Sequence, residues 1–176
     1  STPPSLYRNN GNGSFTLDDV GGPTSVVGGA GAWNVLGDYN NDGFLDIFVG
    51  FGPNVRNLLF RHNGNSNHWL KVKLDGRASN RSGIGAKVRV HATIGGANFW
   101  QMREISGQGM GLDNGLLAHF GLGDATNVTT LRIEWPSGIV QEIENVATNQ
   151  FLTVVESQGY EGAAPAFTGA AKDASG

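Results

Sequence analysis

The chain has 176 residues, enough for one large or two small domains with a sizeable core, and its 15 acidic and 12 basic side chains leave a net charge of −3. Lys and Arg are scattered, which gives no support to a nucleic-acid or polybasic membrane surface, and no apolar run approaches the roughly 20 residues that span a bilayer. There is no cysteine, which excludes disulfides, thiol chemistry and Cys-ligated metals.

A secreted β-protein without disulfides is expected to need another staple, and a bound metal ion is one. The first residue is Ser1, so the sequence reads as a processed product or a piece of a longer chain, with any export signal already removed.

In chain order, Leu6-Tyr7-Arg8-Asn9-Asn10-Gly11-Asn12-Gly13-Ser14-Phe15 reads as an apolar strand end, a Gly/Asn turn and a return. Ala32-Trp33-Asn34-Val35-Leu36 and Ile47-Phe48-Val49 read as strands on either side of an acidic loop. Leu59-Phe60-Arg61-His62-Asn63-Gly64-Asn65-Ser66 repeats the first pattern 53 residues on, an offset that suits one blade of a propeller. Beyond it, Trp69 to Leu74, Ala86 to Ala92 and Thr129 to Trp135 alternate apolar and polar residues, as Phe151 to Val155 does in part. Gly, Asn, Asp and Pro punctuate these runs at turn spacing. No segment has the three-and-four apolar spacing of an amphipathic helix.

The predicted fold is all-β. Residues 1–66 form a partial propeller-type blade with the acidic loop, residues 67–156 a compact antiparallel β-sandwich-like domain, and residues 157–176 a Gly/Ala-rich tail. The composition of the tail is that of a linker or disordered end, with only Tyr160 and Phe167 as anchors.

The one motif with hard chemistry is Asp38-Tyr39-Asn40-Asn41-Asp42-Gly43-Phe44-Leu45-Asp46. Oxygen side chains stand at loop positions one, three, five and nine, Gly43 stands at six where the backbone must turn sharply, and Phe44 at seven can offer its carbonyl. Such hard oxygen donors suit calcium. Magnesium demands a stricter octahedron, and zinc or copper would want His or Cys, which the loop lacks. Three carboxylates held within several ångströms repel by a few kcal/mol at an effective dielectric of about 20, a cost that a divalent cation reverses. The loop departs from an EF-hand, because Val49 replaces the bidentate Glu at position twelve and strands replace the flanking helices. The alternative is a solvated Asx-rich turn without metal.

Val35-Leu36-Gly37-Asp38 through Asp46-Ile47-Phe48-Val49-Gly50 resembles the FG-GAP or VCBS repeat of calcium-stabilised extracellular propellers. That resemblance implies Asp38, Asn40, Asp42, the Phe44 carbonyl and Asp46 as calcium ligands. The second half is similar to the ASPIC/UnbV domain that follows such repeats in cartilage-acidic-protein-like chains. The similarity rests on Asn80-Arg81-Ser82-Gly83-Ile84-Gly85-Ala86, His119-Phe120-Gly121-Leu122-Gly123 and Trp135-Pro136-Ser137-Gly138. Gly109-Met110-Gly111-Leu112-Asp113-Asn114 departs from the family's usual segment, so a ligand held there by relatives is not implied for this chain. The resemblance implies calcium and an extracellular or cell-surface location, with no catalytic chemistry.

A propeller closes with roughly four to eight blades, and this sequence holds about one. An isolated blade leaves unpaired edges and a bare apolar face. Either the chain is a fragment of a larger adhesin, or copies complete one another by strand donation, which builds an open filament unless a ring closes. Ser5 to Leu17 is one candidate donor, and Ala164-Pro165-Ala166-Phe167 is a second.

The remaining signals are weaker. His62, His68, His91 and His119 are dispersed and read as turn or core residues. Ser137 lies in a turn, and no Gly-x-Ser-x-Gly elbow is present. Gly83-Ile84-Gly85-Ala86 lacks the setting of a phosphate loop and reads as a tight strand entry. The acceptor patterns at Asn12, Asn80 and Asn127 mark surface turns. Trp69 and Trp135 are expected in the core, and Trp100 is the exposed aromatic best suited to stack on a sugar. The expected function is therefore a non-catalytic, calcium-stabilised structural or adhesive module that self-associates or binds other extracellular proteins. A glycan-binding module is the alternative. An enzyme would need convergent carboxylates or a His–Ser pair, which the sequence does not show.

Overall fold

The computed structural model describes residues 7–17, 33–107 and 116–157. The segment 109–114, the candidate donor at 164–167 and the tail beyond residue 157 lie outside the described residues, as do Ser5 and Leu6. Every regular element among the described residues is a strand, as the alternating runs predict.

Strands β1 (Tyr7–Asn9) and β2 (Phe15–Leu17) form an antiparallel hairpin with Tyr7 opposite Leu17. Its turn closes through the Asn10 amide on the Ser14 carbonyl at 3.0 Å. Neither strand pairs with any other described strand.

Strands β3 (Trp33–Gly37), β4 (Asp46–Gly50) and β5 (Leu58–Phe60) form a three-stranded antiparallel sheet in that order. The register puts Val35, Phe48 and Leu59 in one row and Leu36, Ile47 and Phe60 in the next, so the two rows face opposite sides. The acidic loop is the connection from β3 to β4.

The repeat departs from its expected symmetry here. The first copy turns back on itself as the β1–β2 hairpin, but the chain after β5 makes no return strand. The His62 amide donates to Asp46 Oδ1 at 2.7 Å and the His62 ring stacks on Phe44, so the acidic loop holds this turn instead.

The remaining strands are β6 (His68–Asp75), β7 (Lys87–Ile94), β8 (Ala97–Glu104), β9 (Leu117–Gly123), β10 (Asn127–Glu134), β11 (Val140–Ala147) and β12 (Gln150–Val155). They form a four-stranded sheet, β11-β10-β7-β8, and a three-stranded sheet, β12-β6-β9. All pairs are antiparallel except β12 with β6, which is parallel. The core lies between the two sheets. Leu70, Val72, Leu74, Phe120 and Leu122 come from one, and Val88, Val90, Leu131 and Ile133 come from the other, all at or near zero exposure. Trp135 is buried with them as expected. Trp69, expected in the core, lies half-buried on the outer face of β6.

Alternation also predicts that Lys71 points to solvent, as its neighbour Lys73 does. Lys71 is only 3% exposed, because the acidic loop covers the outer face of β6 around it.

Candidate functional site

The loop between β3 and β4 is curled by two left-handed residues, Asn41 (φ 59°) and Gly43 (φ 92°). That curl turns the Asp and Asn side chains onto the loop's own amides. Asp38 Oδ1 accepts from the Asp42 amide at 3.1 Å, and Asp38 Oδ2 accepts from the Gly43 amide at 2.7 Å. Asn40 Oδ1 also accepts from the Asp42 amide, and its amide group donates to Asp42 Oδ2 at 2.7 Å. Asp42 Oδ1 accepts from the Phe44 amide at 3.0 Å. Asp46 closes the loop, taking the Tyr39 amide on Oδ2 and the His62 amide on Oδ1. The Phe44 amide lowers the pKa of the Asp42 carboxyl, opposed by desolvation and assisted by Asn40, Arg61 and His62.

The loop is seated on the outer face of β6 and β9. The Lys71 ammonium donates to Asp38 Oδ2, and both side chains are shielded from solvent. The Lys71 Nζ also lies 4.6 Å from the centre of the Phe151 ring. His119, the cross-strand partner of Lys71, places Nε2 3.0 Å from the Gly43 carbonyl, and an N–H on Nε2 is the donor that a carbonyl requires. Burial lowers the His119 pKa, with the Lys71 charge adding to it and the Gly43 contact opposing it. The Trp69 indole packs over Gly43 so closely that any Cβ there would collide with the ring.

Among the described residues, no three His, Cys, Asp or Glu side chains gather as a metal cage. The donor chemistry of the loop nonetheless fits a hard cation. Its side-chain donors are oxygens, and each carboxylate accepts fewer hydrogen bonds than its roughly four lone-pair sites allow.

The sequence reading missed a buried carboxylate outside the loop. Glu156, just after β12, is 2% exposed and accepts from the Arg77 and Ser79 amides and from the Ser79 and Ser137 hydroxyls. It ties the Gly-rich entry to β7 to the Trp-Pro-Ser-Gly turn. Burial raises its pKa, and these four donors, Ser137 first, outweigh that and hold it at about 2. Asn80 braces the same entry, exchanging two side-chain hydrogen bonds with the Ile84 backbone. Ser137 is thus a turn residue that serves Glu156.

Of the other three histidines, His62 adjoins the loop through Asp46 and Phe44, and His68 and His91 lie apart. His62 caps the Gly64 amide, His68 contacts Thr148 and Asn149, and His91 stacks on Trp100. Trp100 itself is 54% exposed. A shallow pocket of about 220 Å³ opens beside the acidic loop, lined by Val35, Tyr39, Phe48 and Leu59 with Asp38 and Asp46.

Comparison with known proteins agrees with the motifs. The FG-GAP-like repeat family matches residues 1–49, and the family described as ASPIC and UnbV matches residues 76–161. Cartilage acidic protein 1 of Homo sapiens is 33% identical over 132 residues, covering 73% of this chain and 19% of that protein. The Mus musculus protein of the same name is 33% identical over 132 residues, covering 73% of this chain and 20% of its own length. The chain therefore spans about a fifth of the curated relatives it matches. It carries an FG-GAP-like repeat followed by an ASPIC and UnbV domain, the pairing its sequence motifs resemble.

Proposed function

We propose that this chain is a non-catalytic, extracellular or cell-surface structural module in which calcium held by the Asp38–Asp46 loop fastens the blade-like unit to the β-sandwich. The reading rests on where the loop sits. It packs against Lys71, His119 and Trp69 of the second unit, so an ion there acts as a staple. The side chains of Asp38, Asn40, Asp42 and Asp46 and the Phe44 carbonyl would hold it, and a bound divalent cation supplies positive charge that offsets the repulsion among the carboxylates. The location outside the cell is supported by the likeness to cartilage acidic protein 1.

In this proposal, copies also complete one another by strand donation. The β1–β2 hairpin pairs with no other described strand, and a lone two-stranded hairpin is marginal in water. Tyr7, Phe15 and Leu17 are all more than half exposed. On the three-stranded sheet, Trp33, Phe48 and Leu59 are exposed as well. Hairpin and sheet each lack a partner that the other can supply, and such a heterologous contact propagates as a filament unless a ring closes.

Calorimetry with and without chelator tests the ion. Chelation is expected to lower the melting temperature, and Asp42→Ala to remove most of that dependence. Unchanged melting refutes the staple. Electron microscopy tests assembly, and monodisperse globular particles in calcium refute the filament.

A further inference from the structure

Strand β8 lies at the end of its sheet, with one edge on β7 and no described strand on the other. Seven of its eight residues are exposed, among them Phe99 at 50%, Trp100 at 54% and Met102 at 43%. Soluble sheets ordinarily suppress such an edge with charges, Pro or bulges. The opposite edge strand, β11, does so with Glu142, Glu144 and the left-handed Asn145. On β8, the charges stand only at the end, as Arg103 and Glu104.

Hairpin parity decides which backbone groups are free. Gly95 and Gly96, at φ 58° and 78°, make a two-residue turn closed by Ile94 opposite Ala97. Hydrogen-bonded and non-bonded pairs alternate from there. Phe99, Gln101 and Arg103 therefore direct their backbone groups to β7, while Asn98, Trp100, Met102 and Glu104 direct theirs to the open edge. The Met102 carbonyl agrees, accepting from Arg103 Nη1 at 2.9 Å on the open edge, a contact that pairing must share or displace.

Laid antiparallel on itself about Gln101, this strand is self-complementary. Trp100 falls opposite Met102 of the second copy, and Asn98 falls opposite Glu104. All four are edge-directed residues, so the ladder hydrogen bonds are in phase. Phe99 falls opposite Arg103 in a non-hydrogen-bonded pair, where side chains come closest. Each copy thus contributes one aromatic–thioether contact, the partner's Phe99 falls beside Arg103, whose guanidinium already lies 5.2 Å from the centre of its own Phe120 ring, and no like charges are opposed. A register centred on Trp100 or on Met102 loses both pairings.

We propose that two copies of this chain pair through β8, fusing their four-stranded sheets into one eight-stranded sheet about a two-fold axis. The contact is isologous and closes at two copies. It uses none of β1 to β5, and so stands apart from the calcium loop and from strand donation.

Gln101 lies on the axis opposite its own copy, at a Cα separation of about 4.5 Å, within disulfide range. The chain has no native cysteine. In the full chain, Gln101→Cys is expected to cross-link into a dimer on mild oxidation, and Asn98→Cys, which faces Glu104, is expected not to. With Leu59→Asp present to prevent filaments, the full chain is expected to sediment at twice the monomer mass, and with Trp100→Lys added to sediment as a monomer that still melts cooperatively. A monomeric Leu59→Asp chain overturns the proposal, as does equal cross-linking of the two cysteine variants. It is also overturned if the chain is monomeric and loses binding on a glycan array through Trp100→Lys, since Trp100 then serves a sugar. A Gln101→Cys cross-link in a chain that forms no filaments in calcium upholds the dimer and removes strand donation alone.

Discussion

The Lys71 ammonium donates to the Asp38 carboxylate across 33 positions of sequence, with side-chain exposures of 3% and 0%. The pair joins the acidic loop to the central strand of the β12-β6-β9 sheet. Removing one partner of a shielded pair strands the other charge, which costs about 3–5 kcal/mol. Lys71→Met is expected to lower stability by about that amount in chelator, where no cation replaces the ammonium beside Asp38. Adding Asp38→Asn to Lys71→Met should recover part of the loss, because no unpaired charge then remains. Urea denaturation of the two variants checks this. A loss below about 1 kcal/mol for the single change would place the pair with ordinary surface ion pairs.

Glu156 makes the fold sensitive to acid. Its carboxyl titrates at about 2 in the fold against an ordinary value of 4.5. A depressed folded value means that the native state binds the proton less well than the unfolded chain. Its contribution is therefore fully present above pH 4.5 and is lost as the pH falls from there toward 2. Glu156→Gln is expected to cost about 2–4 kcal/mol at neutral pH, since it replaces charge-assisted hydrogen bonds with neutral ones. It should also flatten the decline in stability across that acid window. Denaturation midpoints measured from pH 7 to pH 2 read both effects.

Gly43 is constrained twice, by its left-handed backbone (φ 92°) and by the Trp69 ring above it. A left-handed non-glycine residue costs about 1–2 kcal/mol before any clash. Gly43→Ala is therefore expected to destabilise the chain by more than this, and adding Trp69→Ala should relieve only the steric part. Full recovery in the double variant would show that the backbone conformation contributes nothing. Thermal melting of Gly43→Ala, Trp69→Ala and the double variant decides.

The all-β fold was legible wherever alternation was strict, as in β6, β7 and β10, where one face meets the core. Strand β8 went unread because exposure on both faces removes the alternation that marks a half-buried strand, and β11 because its core-facing Ile143 and Val146 stand three residues apart, out of strand period. The acidic loop could be read because its spacing is local. Its partners could not, because Lys71 and His119 occupy the solvent-facing phase of their own strands and become buried only when a distant loop lands on them. Glu156 follows the last strand, where a carboxylate reads as the start of a polar tail. Its four donors come from two turns that only the fold brings together.

The exposed row on the three-stranded sheet separates assembly from stability. Leu59 is 50% exposed and shares its row with Phe48, itself 37% exposed. Making such a residue polar removes little buried area within one copy, and surface changes of this kind stay within about 0.5 kcal/mol. In a filament built by strand donation the same row becomes interface core, where a charge has no partner. Leu59→Asp is expected to leave the melting temperature nearly unchanged and to abolish filaments in electron micrographs. Deleting residues 1–17, which removes the proposed donor, should abolish them equally. Mixing the two variants should restore short assemblies, because each retains the element that the other lacks. Filaments that survive Leu59→Asp would mean that this row faces solvent in the assembled state and that the donated strand docks elsewhere.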